Sequence, residues 1–254
     1  MRNRGKTKKR VLSRNRWLRL PSWRLMFGFI GAAFATLIAL QAAIIAVLTA
    51  VDRRRRRRSA PPTFPHSELP EVSVDGDVFE IFTYGRSVYD AMLAAIDAAT
   101  ETIYFETFIW KGDAVGQEFK DHLVRKAEQG VAVYIIYDDF GNLVVPRQFK
   151  QFPSDLPSLH ILRYRAFHRL RHLLTPRRYA FDHRKLLILD GQIAFIGGYN
   201  IGSVYATEWR DTHLRINGPN AALIAQAFVD FWNRNTPPAT RISRRYKRRF
   251  NTSV

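Results

Sequence analysis

Residues 183–200 read HRKLLILDGQIAFIGGYN. The spacing H-x-K-x4-D places His183, Lys185 and Asp190 in order, and Gly197, Gly198 and Asn200 follow just beyond. Alternate side chains of an extended strand share a face, so His183 and Lys185 are expected to point the same way. A nucleophilic imidazole and a fixed cation then converge on one small volume, which suits attack on an anionic phosphodiester. The DGQ at 190–192 reads as a hairpin turn, and FIGGYN returns along the sheet. Gly197 and Gly198 would let the backbone approach a ligand closely, and Asn200 adds neutral donor and acceptor capacity. A histidine beside a lysine on a strand is ordinary surface chemistry by itself. The weight lies in the spacing, the glycine pair and the asparagine occurring together.

Working outward, helix and strand patterns alternate from about Phe79. Residues 87–99 carry Val88, Met92 and Ile96 at helical spacing. Residues 102–110 are aromatic and β-branched and read as a strand. Residues 115–128 form an amphipathic helix closed by Gly130, and 131–137 read as a buried strand. Further strands are expected at 159–165, 184–190, 193–197 and 212–216, with a closing helix at 220–233. Strand–helix–strand order implies right-handed crossovers. The fold class is α/β: a mixed, largely parallel sheet with helices on both faces.

The motif resembles the HKD motif of the phospholipase D superfamily. ETIYFETFIW (101–110), AVGQEFKDHLVRKAEQGVAVYIIYDDFGN (114–142) and WRDTHLRINGP (209–219) extend the likeness to the amino-terminal catalytic half of bacterial cardiolipin synthases. The resemblance covers roughly residues 80–235. It implies that His183 attacks phosphorus and that Lys185 and Asn200 hold the non-bridging oxygens. Asp211 would accept a hydrogen bond from the other imidazole nitrogen. Asp190 belongs to the motif with a part more structural than catalytic, and the family carries Gly or Ser at the position of Gly198. Gly197, Gly198, Glu106 and Arg184 complete the expected substrate-contacting set. Glu106 sits inside an apolar strand, which is costly unless its carboxyl is hydrogen-bonded or faces the site. Glu208 reads as a residue of a solvated loop.

Composition bounds the partners. Of the formal charge of +18, fifteen units lie in residues 1–58, where sixteen Lys and Arg face one Asp, leaving +3 for the rest. Basic clusters flanking an apolar run argue for a membrane surface before nucleic acid. There is no cysteine, so thiolate catalysis and cysteine metal sites are excluded. No metal-ligand spacing is present, and no metal or other cofactor is expected.

Residues 25–51 carry no charge, and Gln41 is the strongly polar exception. The run is long enough to span a bilayer core of about 30 Å and too long for a signal-peptide core. We expect a single-pass anchor in the bacterial inner membrane. Basic residues on both sides leave the positive-inside rule divided, and the resemblance favours a cytosolic domain. Gly31, Ala35, Ala39 and Ala43 form a small-residue ridge that would let two such helices approach. The expected organisation is a basic segment at 1–24, the span at 25–51, an Arg- and Pro-rich linker at 52–70, the catalytic domain at 71–236 and a basic tail at 237–254. The run 163–178 interleaves six Arg with aromatic and Leu residues. It reads as a lip for anionic headgroups, a single-strand nucleic-acid track or a solvated loop.

Cardiolipin synthases carry two HKD motifs, and one is present here. The expected partners are therefore anionic phospholipid, phosphatidylglycerol above all, and a second motif from a homodimer mate, another chain or a longer version of this one. The implied reaction joins two phosphatidylglycerols and releases glycerol. A hydrolase acting on phospholipid or nucleic acid is the nearest rival, and a lipid-binding half-domain without turnover is the next.

Overall fold

The computed structural model describes residues 23–58, 67, 69–165 and 181–243. Two compact units divide between residues 63 and 64.

The first unit carries α1, Trp23–Arg58, whose stretch Met26–Arg55 is long and apolar enough to cross a membrane. Its apolar side chains are exposed along its length. The run Arg53–Arg58, expected in a linker, instead continues the helix. Arginine is a good helix former, and cations at a helix C-terminus oppose the negative end of the dipole.

The second unit is built on one eight-stranded sheet in the order β1-β2-β8-β7-β6-β3-β4-β5. The strands are β1 Val72–Val74, β2 Asp77–Phe82, β3 Thr102–Thr107, β4 Ala132–Asp138, β5 Leu159–Tyr164, β6 Leu186–Leu189, β7 Ile193–Gly197 and β8 His213–Asn217. The helices are α2 Gly85–Ala98, α3 Ala114–Glu128, α4 Ser203–Thr207 and α5 Ala221–Asn235. The sheet is mixed, as expected, but the parallel part is confined to β3, β4 and β5. Every other pairing is antiparallel. The expectation of a largely parallel sheet fails because the tight turn at 190–192 folds β7 back on β6, and β6 itself runs against β3.

Helices cover both faces. On one side α2 buries Val88, Tyr89, Met92, Leu93 and Ile96, and α3 buries Phe119, Leu123 and Ala127, against Ile103, Phe105, Leu187 and Phe195. On the other, α5 sets Ala221, Ala225, Phe228, Val229 and Trp232 against Tyr104, Ile136, Leu186 and Ile188. Fully burying one such aliphatic or aromatic side chain contributes about 1.5–3 kcal/mol, so loss of α5, or of α2 and α3 together, would expose a whole face. The basic tail begins later than residue 237. Trp232 donates to the Thr240 carbonyl at 2.9 Å, and Asn233 exchanges two hydrogen bonds with Ile242.

The β1–β2 hairpin escaped the periodicity reading. Its turn is Asp75-Gly76, with φ of 50° and 87°, the left-handed pair that an Asp-Gly turn supplies. Asp190 and Gly191, at 51° and 67°, make the same kind of turn between β6 and β7.

Candidate active site

The carboxyl ends of β3, β4 and β7 and the amino ends of β6 and β8 meet at one end of the sheet. His183 and Lys185 lie there, on the extended segment 181–185 that enters β6 rather than on the strand itself. The strand begins only at Leu186, where pairing with Glu106 and Ile196 starts. His183 is exposed and Lys185 is buried behind it. Lys185 Nζ donates to the His183 carbonyl at 2.7 Å and lies 3.2 and 3.3 Å from the two ring nitrogens. Burial lowers the Lys185 pKa, opposed by the charges of Asp211 and Asp182. The Phe108 ring backs both residues, 4.6 Å from the imidazole centroid and 5.4 Å from Nζ.

The segment is held by residues that the sequence reading did not select. Asp138, at the end of β4, accepts from the Asp182 N–H at 2.9 Å and from the N–H groups of Phe140 and Gly141. Its pKa is raised by burial, with these three bonds working the other way. Asn142 is buried with its side chain committed. Its Oδ1 accepts from Trp110 N–H, and its Nδ2 donates to the carbonyls of Phe108 and Asp138. The signal was present in YDDFGN at 137–142, where two acids, a glycine and an asparagine end an apolar strand.

Asn200 is anchored from two directions. Its Oδ1 accepts from Ile109 N–H at 3.1 Å, and its carbonyl accepts from the buried Tyr89 hydroxyl. With Oδ1 so used, its Nδ2 donor is directed elsewhere.

Gly197 and Gly198 serve the packing of β7 on the chain entering β8. A Cβ at Gly197 would collide with the Thr212 carbonyl and His213, and one at Gly198 would collide with the Asp211 carboxylate. Their lack of side chains therefore admits Asp211, whereas the sequence reading had assigned the room to a ligand. Asp211 Oδ1 accepts from Thr212 N–H at 2.8 Å, and Asp211 N–H donates to the Tyr199 hydroxyl at 3.2 Å. The expected Asp211–His183 hydrogen bond is not among the described contacts. Lys185 Nζ occupies the space beside both imidazole nitrogens instead.

Asp190 lies at the other end of β6, seven residues on and roughly 20 Å away by strand rise. Its carboxylate accepts from the N–H groups of Thr100, Glu101 and Thr102 and from the Thr100 hydroxyl. Burial pushes its pKa up, but these hydrogen bonds outweigh that and hold it below the usual carboxylate range. The group stitches β6 to the start of β3 and does not reach the site.

Glu106 and Arg184 answer each other across the α5 face. Arg184 Nη2 stands 2.5 Å from Glu106 Oε1, and its guanidinium lies 4.3 Å from the Phe231 ring. Burial raises the Glu106 pKa well above its ordinary value, the Asp182 charge adds to this, and Arg184 opposes it. A carboxyl that keeps its proton can donate to Asp182, a bond that two carboxylates cannot form. Glu208 is exposed at the end of α4.

His213 is the other buried group here, missed although it stands two residues past Asp211. It has no exposed surface, and neither ring nitrogen has a hydrogen-bond partner. Burial pushes its pKa down to about 4, with Asp211 opposing and Lys185 assisting. Of the basic run at 163–178, Arg163 and Arg165 pair with Asp139, and residues 166–180 lie outside the described residues.

Residues 92–232 match the family model described as cardiolipin synthase, PLD-like domain. Cardiolipin synthase A of Pseudomonas putida is 34% identical over 164 residues, covering 61% of this chain and 33% of the relative. The major cardiolipin synthase of Bacillus subtilis is 30% identical over 181 residues, covering 64% and 34%. The chain thus spans about a third of the length of the curated relatives it matches. Among solved structures, NucT from Helicobacter pylori superposes with a TM-score of 0.52 at 15% identity, over 63% of this chain and 97% of that one. That likeness speaks for the fold. With residues 92–232, more than half of its length, matched to the family model, the chain belongs to the cardiolipin synthase, phospholipase D-like family.

Proposed function

We propose that the chain is the membrane-anchored catalytic unit of a phosphatidyltransferase of cardiolipin synthase type. The observation that carries this reading is an exposed His183 with a buried ammonium 3.2–3.3 Å from its ring nitrogens. A pre-placed cation in a low-dielectric wall favours a doubly charged phosphoryl transition state over the singly charged substrate. His183 attacks the phosphorus of one phosphatidylglycerol, and a P–N bond forms as the bond to the glycerol oxygen breaks. A second His183, from another copy or a second motif-bearing half, gives its proton to the departing glycerol. The same base then takes the proton of the second phosphatidylglycerol's hydroxyl, which attacks phosphorus and breaks the P–N bond. Lys185 and the free donor of Asn200 hold the non-bridging oxygens throughout, and the Asp211 charge supports the cationic wall. Asp138 and Asn142 position the segment that carries the nucleophile. The span-length helix α1 and its terminal Arg run keep this unit at an anionic surface, where each cation near the membrane contributes about 1 kcal/mol.

The test reconstitutes the full chain in phosphatidylglycerol vesicles and follows cardiolipin and glycerol by mass spectrometry, beside His183→Ala. Equimolar cardiolipin and glycerol from the unaltered chain alone are expected. Phosphatidate in place of cardiolipin would assign a hydrolase, and no product from a dimeric preparation would overturn catalysis by this chain.

A further inference from the structure

The loop after β4 is unusual in what it shows to solvent. Phe140 is 55% exposed, Leu143 65% and Val144 83%, three large apolar side chains within five residues. The loop is nevertheless tightly built. Asp138 accepts from Phe140 and Gly141, Asn142 staples the turn to β3 and β4, Lys150 donates to the Asn142 carbonyl at 2.9 Å, and Val145 is buried as an internal anchor. An apolar tip held in place by its own hydrogen bonds cannot turn its side chains inward, so water contacts them unless something covers them. The tip also leads to the nucleophile. Phe140 stacks on Phe181 with centroids 4.4 Å apart, Phe181 lies 6.5 Å from Phe108, and Phe108 lies 4.6 Å from His183. Beside it Arg163 and Arg165 share the single carboxylate of Asp139, which leaves a net positive charge, and Arg147 of the same loop is exposed.

We propose that this loop is a membrane-dipping surface. Phe140, Leu143 and Val144 insert at the acyl–headgroup boundary of an anionic bilayer, and the ring path through Phe181 and Phe108 sets His183 at the depth of lipid phosphates. Apolar tips bordered by guanidiniums suit that interface, where the rings and aliphatic groups enter the hydrocarbon edge and the cations stay with the phosphates. A helix of spanning length in the same chain supplies the bilayer. The role in substrate access rests on the transferase reading above, whereas the insertion itself does not.

The chain has no cysteine, so Leu143→Cys, Val144→Cys and Glu128→Cys each introduce a single thiol for a nitroxide label. Glu128 is exposed at the end of α3, which leads into the opposite end of β4. The labelled full-length chains are placed in vesicles of phosphatidylglycerol and phosphatidylcholine. Collision rates with oxygen, which concentrates in lipid, and with a water-soluble nickel complex are then measured. The oxygen-to-nickel ratio at positions 143 and 144 should exceed that at 128 several-fold. Equal ratios at all three positions would overturn the proposal, as would shielding from both reagents, which would mean that a protein surface such as a second copy covers the loop. In the same vesicles Leu143→Ser combined with Val144→Ser should slow cardiolipin formation several-fold, and formation from phosphatidylglycerol dispersed in detergent should be unchanged. If the unaltered chain makes no cardiolipin at all, the transferase reading falls while the label depths still decide this one.

Discussion

The two ends of β6 carry letters of one motif and have opposite characters. At the entrance, His183 is exposed and Lys185 stands beside it with burial lowering its pKa. At the exit, the Asp190 carboxylate accepts four hydrogen bonds from residues 100–102 and is held ionised by them. A contiguous sequence pattern therefore joins an exposed imidazole beside a buried ammonium to a structural rivet. The four buried residues Leu186–Leu189 keep the two ends apart. Saturated hydrogen bonding makes a charge stable and inert, while sparse bonding leaves one available.

The contrast is broken most directly by Lys185→Met, which keeps the length of the side chain and removes the cation. Turnover should fall by roughly 10²–10³-fold while the melting curve in detergent barely moves. At the other end, Asp190→Ala should cost about 2 kcal/mol, since the donors it leaves at Thr100 and Glu101 are open to water, read as a lower denaturation midpoint, with activity per folded molecule retained. Equal loss of activity from both variants would erase the distinction between the ends.

The buried histidine behind the site gives a third probe. The folded pKa of His213, about 4, lies below the usual value of about 6.5, so the unfolded chain binds the proton more readily. Stability is therefore intact above pH 6.5 and is lost as pH falls from 6.5 towards 4, by on the order of 3 kcal/mol. His213→Leu should flatten that decline without lowering stability at pH 7.5, because both ring nitrogens are already unpartnered. Asp190 contributes in the same direction but lower, losing its stabilisation as pH falls below about 4. Denaturant midpoints measured from pH 8 to 3.5 separate the two.

The glycine pair gives the smallest effects. Gly197→Ala meets the Thr212 carbonyl, a backbone atom, and should destabilise by about 1–3 kcal/mol. Gly198→Ala meets the end of the Asp211 side chain, which can swing away. It should lower turnover more than stability, and a melting point that falls as far as for Gly197→Ala would refute that.

Much of the scaffold was legible because it depends on local pattern. Val88, Met92 and Ile96 recur at helical spacing and are buried in α2, and Asp190-Gly191 supplies the left-handed turn between β6 and β7. What escaped depends on long-range neighbours. Strand direction was misjudged because strand–helix–strand order says nothing of where a hairpin will dock. Strand β1 pairs only three residues with β2, too few for an alternation to show, and the local signal of the hairpin was Asp75-Gly76. At the site, the residue types were readable while their contacts were not. Asp211 was expected to bond His183, yet the Thr212 N–H takes one of its oxygens and Lys185 takes the space by the ring. Asp138, Asn142 and His213 carry no motif, and their importance comes from being polar where the fold makes burial complete.

The position of β8 sets a clock on synthesis. Phe79 of β2 pairs with Ile216, and β8 is the strand that joins β1 and β2 to the rest of the sheet. A ribosome making about 5–20 residues per second leaves the inner edge of β2 unpaired for roughly 10 s or more after that strand emerges. During that interval the parallel strands β3, β4 and β5 emerge in turn while the hairpin edge stays open. A chain halted between residues 183 and 217 would therefore carry His183 together with an unpaired strand edge, an aggregation hazard.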